Sequence, residues 1–226
     1  MIPLDTVIDR KALATRVKLI IRRGSTLTAE VALYIDSDDK IVVKDCSTMA
    51  PWARTLYGRR VRNREVRIYR YLTGVQGIPA FRGEVDHDAF AIEYIDGQTM
   101  GRHVKRDCLV QAITRLEVVL EAMHNRRIVH LDLKQKRNVI VKTDGSIAII
   151  DFESAIHISR GFLRNLLFDV LKRRDRAGLM KFKAKYTPHL LTAHEERVVR
   201  REKLIGSFWP VKRFSSFLRR LIDTFW

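Results

Sequence analysis

Cysteine is scarce in this chain: Cys46 and Cys108 are the only two among 226 residues. They make no disulfide framework, so a reducing, cytoplasmic compartment is expected. The opening Met1-Ile2-Pro3-Leu4-Asp5 has neither the basic nor the long apolar stretch of a secretory signal. No apolar run approaches the length that spans a bilayer. Internal repeats and low-complexity linkers are also missing, and at this length one compact domain over 1–226 fits best. Acidic residues are the other shortage, with 26 Asp and Glu against 43 Lys and Arg and a net charge of +17. From His157 onward 17 basic residues face 6 acidic ones. Such a balance suits an anionic partner, whether nucleic acid, anionic lipid or a phosphorylated glycan.

What the chain does have is concentrated between His130 and Glu153. Ile128-Val129 is a short β-branched run entering the polar loop His130-Leu131-Asp132-Leu133-Lys134, which continues to Asn138. Val139-Ile140-Val141 and Ile147-Ala148-Ile149-Ile150 read as two strands joined by Thr143-Asp144-Gly145-Ser146, a turn with Asp-Gly at its centre. Asp132 and Asn138 precede the first strand and Asp151 follows the second. An antiparallel pair brings those ends together, so three oxygen-bearing side chains converge on one edge. Magnesium prefers hard oxygen ligands and keeps substrate phosphates in its shell, so Asn138 and Asp151 suit it. Asp132 is placed to accept or orient the proton of an attacking hydroxyl, and Lys134 to neutralise charge on a transferring phosphoryl group.

This stretch resembles the catalytic and metal-binding loops of the protein-kinase superfamily. It is similar in particular to the small bacterial branch of lipopolysaccharide core kinases and RIO-like kinases. The resemblance implies an α+β, minimal bilobal kinase-like fold that uses ATP and Mg2+. It sets a β-rich N-lobe with one helix at about 1–95, a hinge at about 93–97 and a mainly helical C-lobe at about 98–226. Two departures stand out. The family's Asn follows the Asp by five residues, whereas Asn138 follows Asp132 by six and Arg137 takes the usual place. Because Asn138 abuts the strand, it is expected to keep the metal role while the loop bulges earlier. Glu153 stands where glycine is usual.

The N-terminal half supplies further parts. Lys40-Ile41-Val42-Val43-Lys44 reads as a strand, and Lys44 matches the lysine that holds the α- and β-phosphates. Between Arg59 and Leu72, Val61, Ile68 and Leu72 fall at helical spacing with Glu65 on the same face. An inward carboxylate needs a cation. Lys44 is the expected partner, with Arg62 on the same helix as the alternative. The resemblance makes Phe90-Ala91-Ile92-Glu93-Tyr94-Ile95-Asp96-Gly97 the hinge, with backbone groups near Glu93 and Ile95 meeting the adenine edge. Between candidate strands Val17–Arg22 and Val31–Ile35, Gly24-Ser25-Thr26-Leu27-Thr28 has no G-x-G-x-x-G. Its amides and the Ser25 and Thr26 hydroxyls are the candidates for cradling phosphate.

Asp107 to Met123 reads as a buried helix with Leu109, Ile113, Leu116, Leu120 and Met123 as its stripe. Strands, helix, strands, helices is an α+β order. Two basic amphipathic stripes follow. One is Phe162, Leu163, Leu166, Leu167, Val170 and Leu171; the other is Phe214, Phe217, Leu218, Leu221, Ile222 and Phe225, flanked by Trp209 and Trp226. Each either packs on the body of the protein or lies in a membrane interface. No Ala-Pro-Glu or long activation segment follows Asp151. That argues against an extended peptide acceptor and for a sugar, a lipid-linked glycan or a specific folded partner. The expected acceptor is a hydroxyl on the inner-core sugars of lipopolysaccharide, reached at the inner face of the cytoplasmic membrane. A RIO-like Ser/Thr kinase working near RNA, or a non-catalytic scaffold, are the alternatives.

Overall fold

The computed structural model describes residues 8–37, 39–101 and 103–205. The second amphipathic stripe, Phe214 to Phe225, lies outside them. The fold is α+β, and the chain divides into two compact units, Met1–Leu179 and Met180–Trp226.

The first unit opens with a short helix α1 (Arg10–Ala14), capped by the Asp9 side chain. A five-stranded antiparallel sheet follows in the order β1-β2-β3-β5-β4. Its strands are β1 (Val17–Arg22), β2 (Glu30–Asp36), β3 (Asp39–Asp45), β4 (Phe81–Glu84) and β5 (Ala89–Glu93). Strand alternation gives the sheet two apolar faces. On one, Leu13 of α1 packs with Ile41, Val43, Val85, Ala89 and Ala91. Cross-strand partners on the other are Leu19, Leu33, Val42 and Ile92, then Val31, Lys44 and Phe90. Lys44 and Arg22, the two cross-strand partners of Val31, end this apolar surface.

Between β3 and β4 the chain runs through α2 (Pro51–Ala53), a π-helical turn at Arg54–Gly58 and α3 (Arg59–Tyr71). The apolar spacing noted above sets its orientation: Val61, Glu65, Val66, Ile68 and Tyr69 are buried, and Arg60, Arg67 and Arg70 are exposed. A two-residue strand β6 (Gln98–Thr99) leads to α4 (Arg106–Asn125), whose stripe Leu109, Ile113, Leu116, Leu120 and Met123 is buried. Next come β7 (Ile128–Val129), the hairpin β8 (Val139–Val141) and β9 (Ile147–Ile149), and β10 (Ile156–His157), which pairs with β7. The hairpin turn closes with the Lys142 N–H donating to the Ser146 carbonyl, and Gly145 supplies a φ of 72°. The sheet β6-β8-β9 brings residue 138 and residues 150–151 to one end.

Helix α5 (Phe162–Tyr186) buries Phe168, Leu171, Ala177 and Leu179, whereas its first apolar stripe is exposed from Phe162 to Val170. In the second unit, α6 (Ala193–Ile205) begins with a capping box. The Glu195 N–H donates to Thr192 Oγ1, and the Thr192 N–H donates to Glu195 Oε2. Among the described residues no helix is long and apolar enough to cross a membrane.

Candidate active site

The site forms where β3, α3, the 130–138 loop and the end of β9 meet. Lys44 Nζ donates to Glu65 Oε1 at 2.6 Å and to Asp151 Oδ1 at 2.9 Å, with Glu153 Oε1 at 3.7 Å. Glu65 pairs across to β3 and not with Arg62, which turns to Glu84 and to the Asp86 and Ala89 carbonyls. Glu65 Oε1 also accepts from the Phe152 N–H at 3.1 Å. One carboxylate thus ties α3 both to Lys44 and to the Asp151 segment.

Lys44 faces three carboxylates, and Arg22 adds a second cation 3.1 Å from Glu153. Burial pushes the Glu65 carboxyl up to about 7 against the pull of Lys44, and Asp151 and Glu153 push it the same way. Burial works against the charge of Asp151 as well, yet the attraction and hydrogen bond of Lys44 and the attraction of Arg22 hold it below its ordinary value. Burial likewise opposes the Lys44 charge, and Glu65, Asp151 and Glu153 outweigh it, raising Lys44 above its ordinary value.

The loop bearing Asp132 is shaped by long-range bonds. The Gln135 N–H donates to the Asp132 carbonyl and the Asn138 N–H to the Gln135 carbonyl, closing a 3-10 turn at Lys136–Asn138. Asn138 is 1 % exposed whereas Arg137 is exposed. Asn138 Nδ2 donates to the Asp132 carbonyl at 3.0 Å and to Asp132 Oδ2 at 3.2 Å, which leaves Oδ1 as its acceptor atom. Asp132 Oδ2 also accepts from Gln135 Nε2. The Ile150 N–H donates to the Asn138 carbonyl, and the Asp132 N–H donates to His130 Nδ1. His130 Nε2 therefore carries the proton and donates to the Ile150 carbonyl at 3.1 Å. Asp132, Asn138 and Asp151 are tied to one hairpin end.

Three of the four described non-glycine residues with positive φ surround this hairpin: Arg127 (63°), Leu131 (64°) and Asp151 (67°). Left-handed backbone costs such residues about 1 kcal/mol or more each and persists only where contacts over-determine it. For Leu131 the contacts come from α5. The fully buried Asp175 accepts from the His130 N–H at 2.7 Å and the Leu131 N–H at 2.8 Å, and it bonds His124 Nε2 at 3.2 Å. Arg174 Nε donates to the Leu131 carbonyl at 2.8 Å. A Cβ on Gly178 would lie 3.2 Å from the backbone of Leu133, so the helix approaches the loop closely. Asp175 was missed in the sequence although its signal was present: it sits on the inward stripe of α5 with Phe168, Leu171 and Leu179, as Glu65 sits on that of α3.

The remaining expected residues are more loosely placed. Lys134 is exposed at the start of the turn. Glu93 spends its carboxylate on the Ala80 N–H, and its own N–H donates to the Ala80 carbonyl. Ile95 is buried, and its N–H makes no backbone hydrogen bond among the described residues. Ser25 and Thr26 are exposed in a turn closed by a Ser25–Thr28 bridge, with the two hydroxyls 2.7 Å apart. The exposed Val17 and Leu19, on the strand expected at Val17–Arg22, extend the apolar face that ends at Lys44. A cavity of about 110 Å³ adjoins Lys44, lined by Leu27, Ala29, Val61, Glu65, Phe90 and Glu153 among others.

Mg2+ fits the donor set, because Asp151 is a charged carboxylate and Asn138 has a free acceptor oxygen. Among the described residues no group of three or more His, Cys, Asp or Glu side chains is arranged to hold a metal. The chain matches no protein-family model, and no curated protein matches it at a significant level.

Proposed function

We propose that this chain is an ATP- and Mg2+-dependent phosphotransferase with a kinase-like fold, acting on a hydroxyl of an anionic glycan or glycolipid, with an inner-core lipopolysaccharide sugar as the preferred acceptor. The observation that carries the reading is Lys44, bonded at once to Glu65 of α3 and to Asp151 at the hairpin end that also holds Asn138 and Asp132. In this reading Lys44 holds the α- and β-phosphates, Asp151 and Asn138 hold the metal, and Asp132 orients the acceptor hydroxyl. Lys134 neutralises charge on the group in flight. The apolar sheet face from Val17 and Leu19 to Val42 covers the adenine, and the backbone of Glu93 and Ile95 meets its edge. Bound metal would be held by Asp151 and Asn138 and would supply positive charge to the phosphates.

A second reading rests on Glu153. Its carboxylate lies between Lys44 and Arg22, at 3.7 and 3.1 Å, and its carbonyl accepts from Arg64, so the segment is strapped to β1 and α3. A strap that held Lys44 permanently would suit a scaffold without transfer. Incubation with γ-labelled ATP and Mg2+ separates the readings, with dephosphorylated core oligosaccharide in one arm and a generic protein substrate in the other. Label on the sugar supports the proposal, and label on protein alone points to a RIO-like protein kinase. Absence of label in both arms, with ATP still bound, favours the scaffold.

A further inference from the structure

Helix α5 is apolar on two sides. Phe168, Leu171 and Leu179 face inward, while Phe162, Leu163, Leu166, Leu167 and Val170 recur at the spacing of a second stripe. Phe162 is 90 % exposed, Leu163 74 % and Leu166 62 %. Packing accounts for the first side only, and a contiguous exposed apolar stripe of this kind marks an interaction surface. Its surroundings are basic: between 160 and 174 the only acidic residue is Asp169, against Arg160, Arg164, Lys172, Arg173 and Arg174. Arg160 and Arg173 are exposed at the two ends of the stripe, and Lys172 lies over the Phe168 ring at its side.

We propose that this face of α5 docks on an anionic lipid bilayer. Phe162, Leu163 and Leu166 would enter the headgroup–acyl boundary, and Arg160, Arg164 and Arg173 would meet lipid phosphates. Five basic residues against the single carboxylate of Asp169 over 160–174 match an anionic surface. Phe and Leu beside Arg and Lys is the composition of a helix that lies in the plane of an anionic interface. The helix cannot cross the bilayer.

The test is sedimentation of the full chain with phosphatidylcholine vesicles made with and without phosphatidylglycerol. No nucleotide is present, so the outcome is independent of the phosphotransfer reading. The protein should sediment with the anionic vesicles, and Leu163→Gln/Leu166→Gln should bind them at least about tenfold more weakly. Arg160→Glu/Arg173→Glu should also weaken binding, and high salt should reduce but not abolish it, since the apolar contribution is unscreened. All these side chains are exposed, so the variants should melt like the wild type. Val118→Gln, at an exposed apolar position on α4, should bind unchanged. The proposal is overturned if the wild type ignores anionic vesicles, or if the leucine variant binds them like the wild type. It is equally overturned if the wild type is an oligomer that the leucine variant converts to monomers, which would make the stripe a contact between copies.

Discussion

At the scale of single residues, Asp151 and Asn138 are the sharpest probes. Asp151→Asn keeps the shape but removes the charge that answers Lys44, so turnover should fall to background while the melting temperature stays within a few degrees. Measured transfer at the wild-type rate would rule out a metal role. Asn138→Ala should be severe and Arg137→Ala close to wild type, because Asn138 is buried against Asp132 and Arg137 is exposed. The reverse order in steady-state kinetics would mean that Arg137 carries the chemistry. Asp175 differs from both, since it lies behind the loop. Asp175→Ala leaves the buried His130 amide and the half-buried Leu131 amide without their acceptor, at about 1–3 kcal/mol each. Urea unfolding should show a loss of roughly 2–5 kcal/mol with the denaturant slope unchanged. A loss below 1 kcal/mol would show that water or a neighbouring group replaces it.

Among elements, the junction of β3 and α3 makes a pH prediction. An unfolded Glu titrates near 4.5, whereas Glu65 in the fold is pushed up to about 7 by burial. Between those values the folded state binds more protons than the unfolded one, so this group's contribution to stability falls as pH rises through the window. Glu65→Gln should remove that slope. The difference in melting temperature, variant minus wild type, should be more favourable to the variant at neutral pH than near pH 5, and an identical difference at both would contradict the assignment. The same junction shows what could be read from the chain beforehand. The β8–β9 hairpin was legible because Asp144-Gly145 and β-branched runs are local signals, and α3 because one carboxylate sat on an apolar stripe. The left-handed Leu131 and Asp151 were not legible, since Asp175 and Glu65 impose those conformations from far along the chain. Nor was the fate of the α5 stripe: periodicity says that a face is apolar and not what meets it.

For the molecule as a whole, ligand linkage gives the broadest test. A nucleotide that binds the folded state alone, at about 100 times its dissociation constant, adds ~2.7 kcal/mol of stability, or roughly 5–10 °C for a protein of this size. Mg2+-ATP should produce that shift by calorimetry, and ATP without metal a smaller one. Equal, negligible shifts in both would leave the Lys44 constellation as a structural ion network. With a net charge of +17 the chain also binds anions without selectivity, so the comparison belongs at physiological salt. The Asp175 clamp carries a further consequence. His130 and Leu131 take their shape from a residue 45 and 44 positions later. During synthesis, the His130 and Leu131 amides therefore have no Asp175 acceptor until that residue has left the ribosome and α5 has folded against the loop. Nascent chains that stall or are cut short before that point carry every residue of the site but lack the clamp that shapes His130 and Leu131.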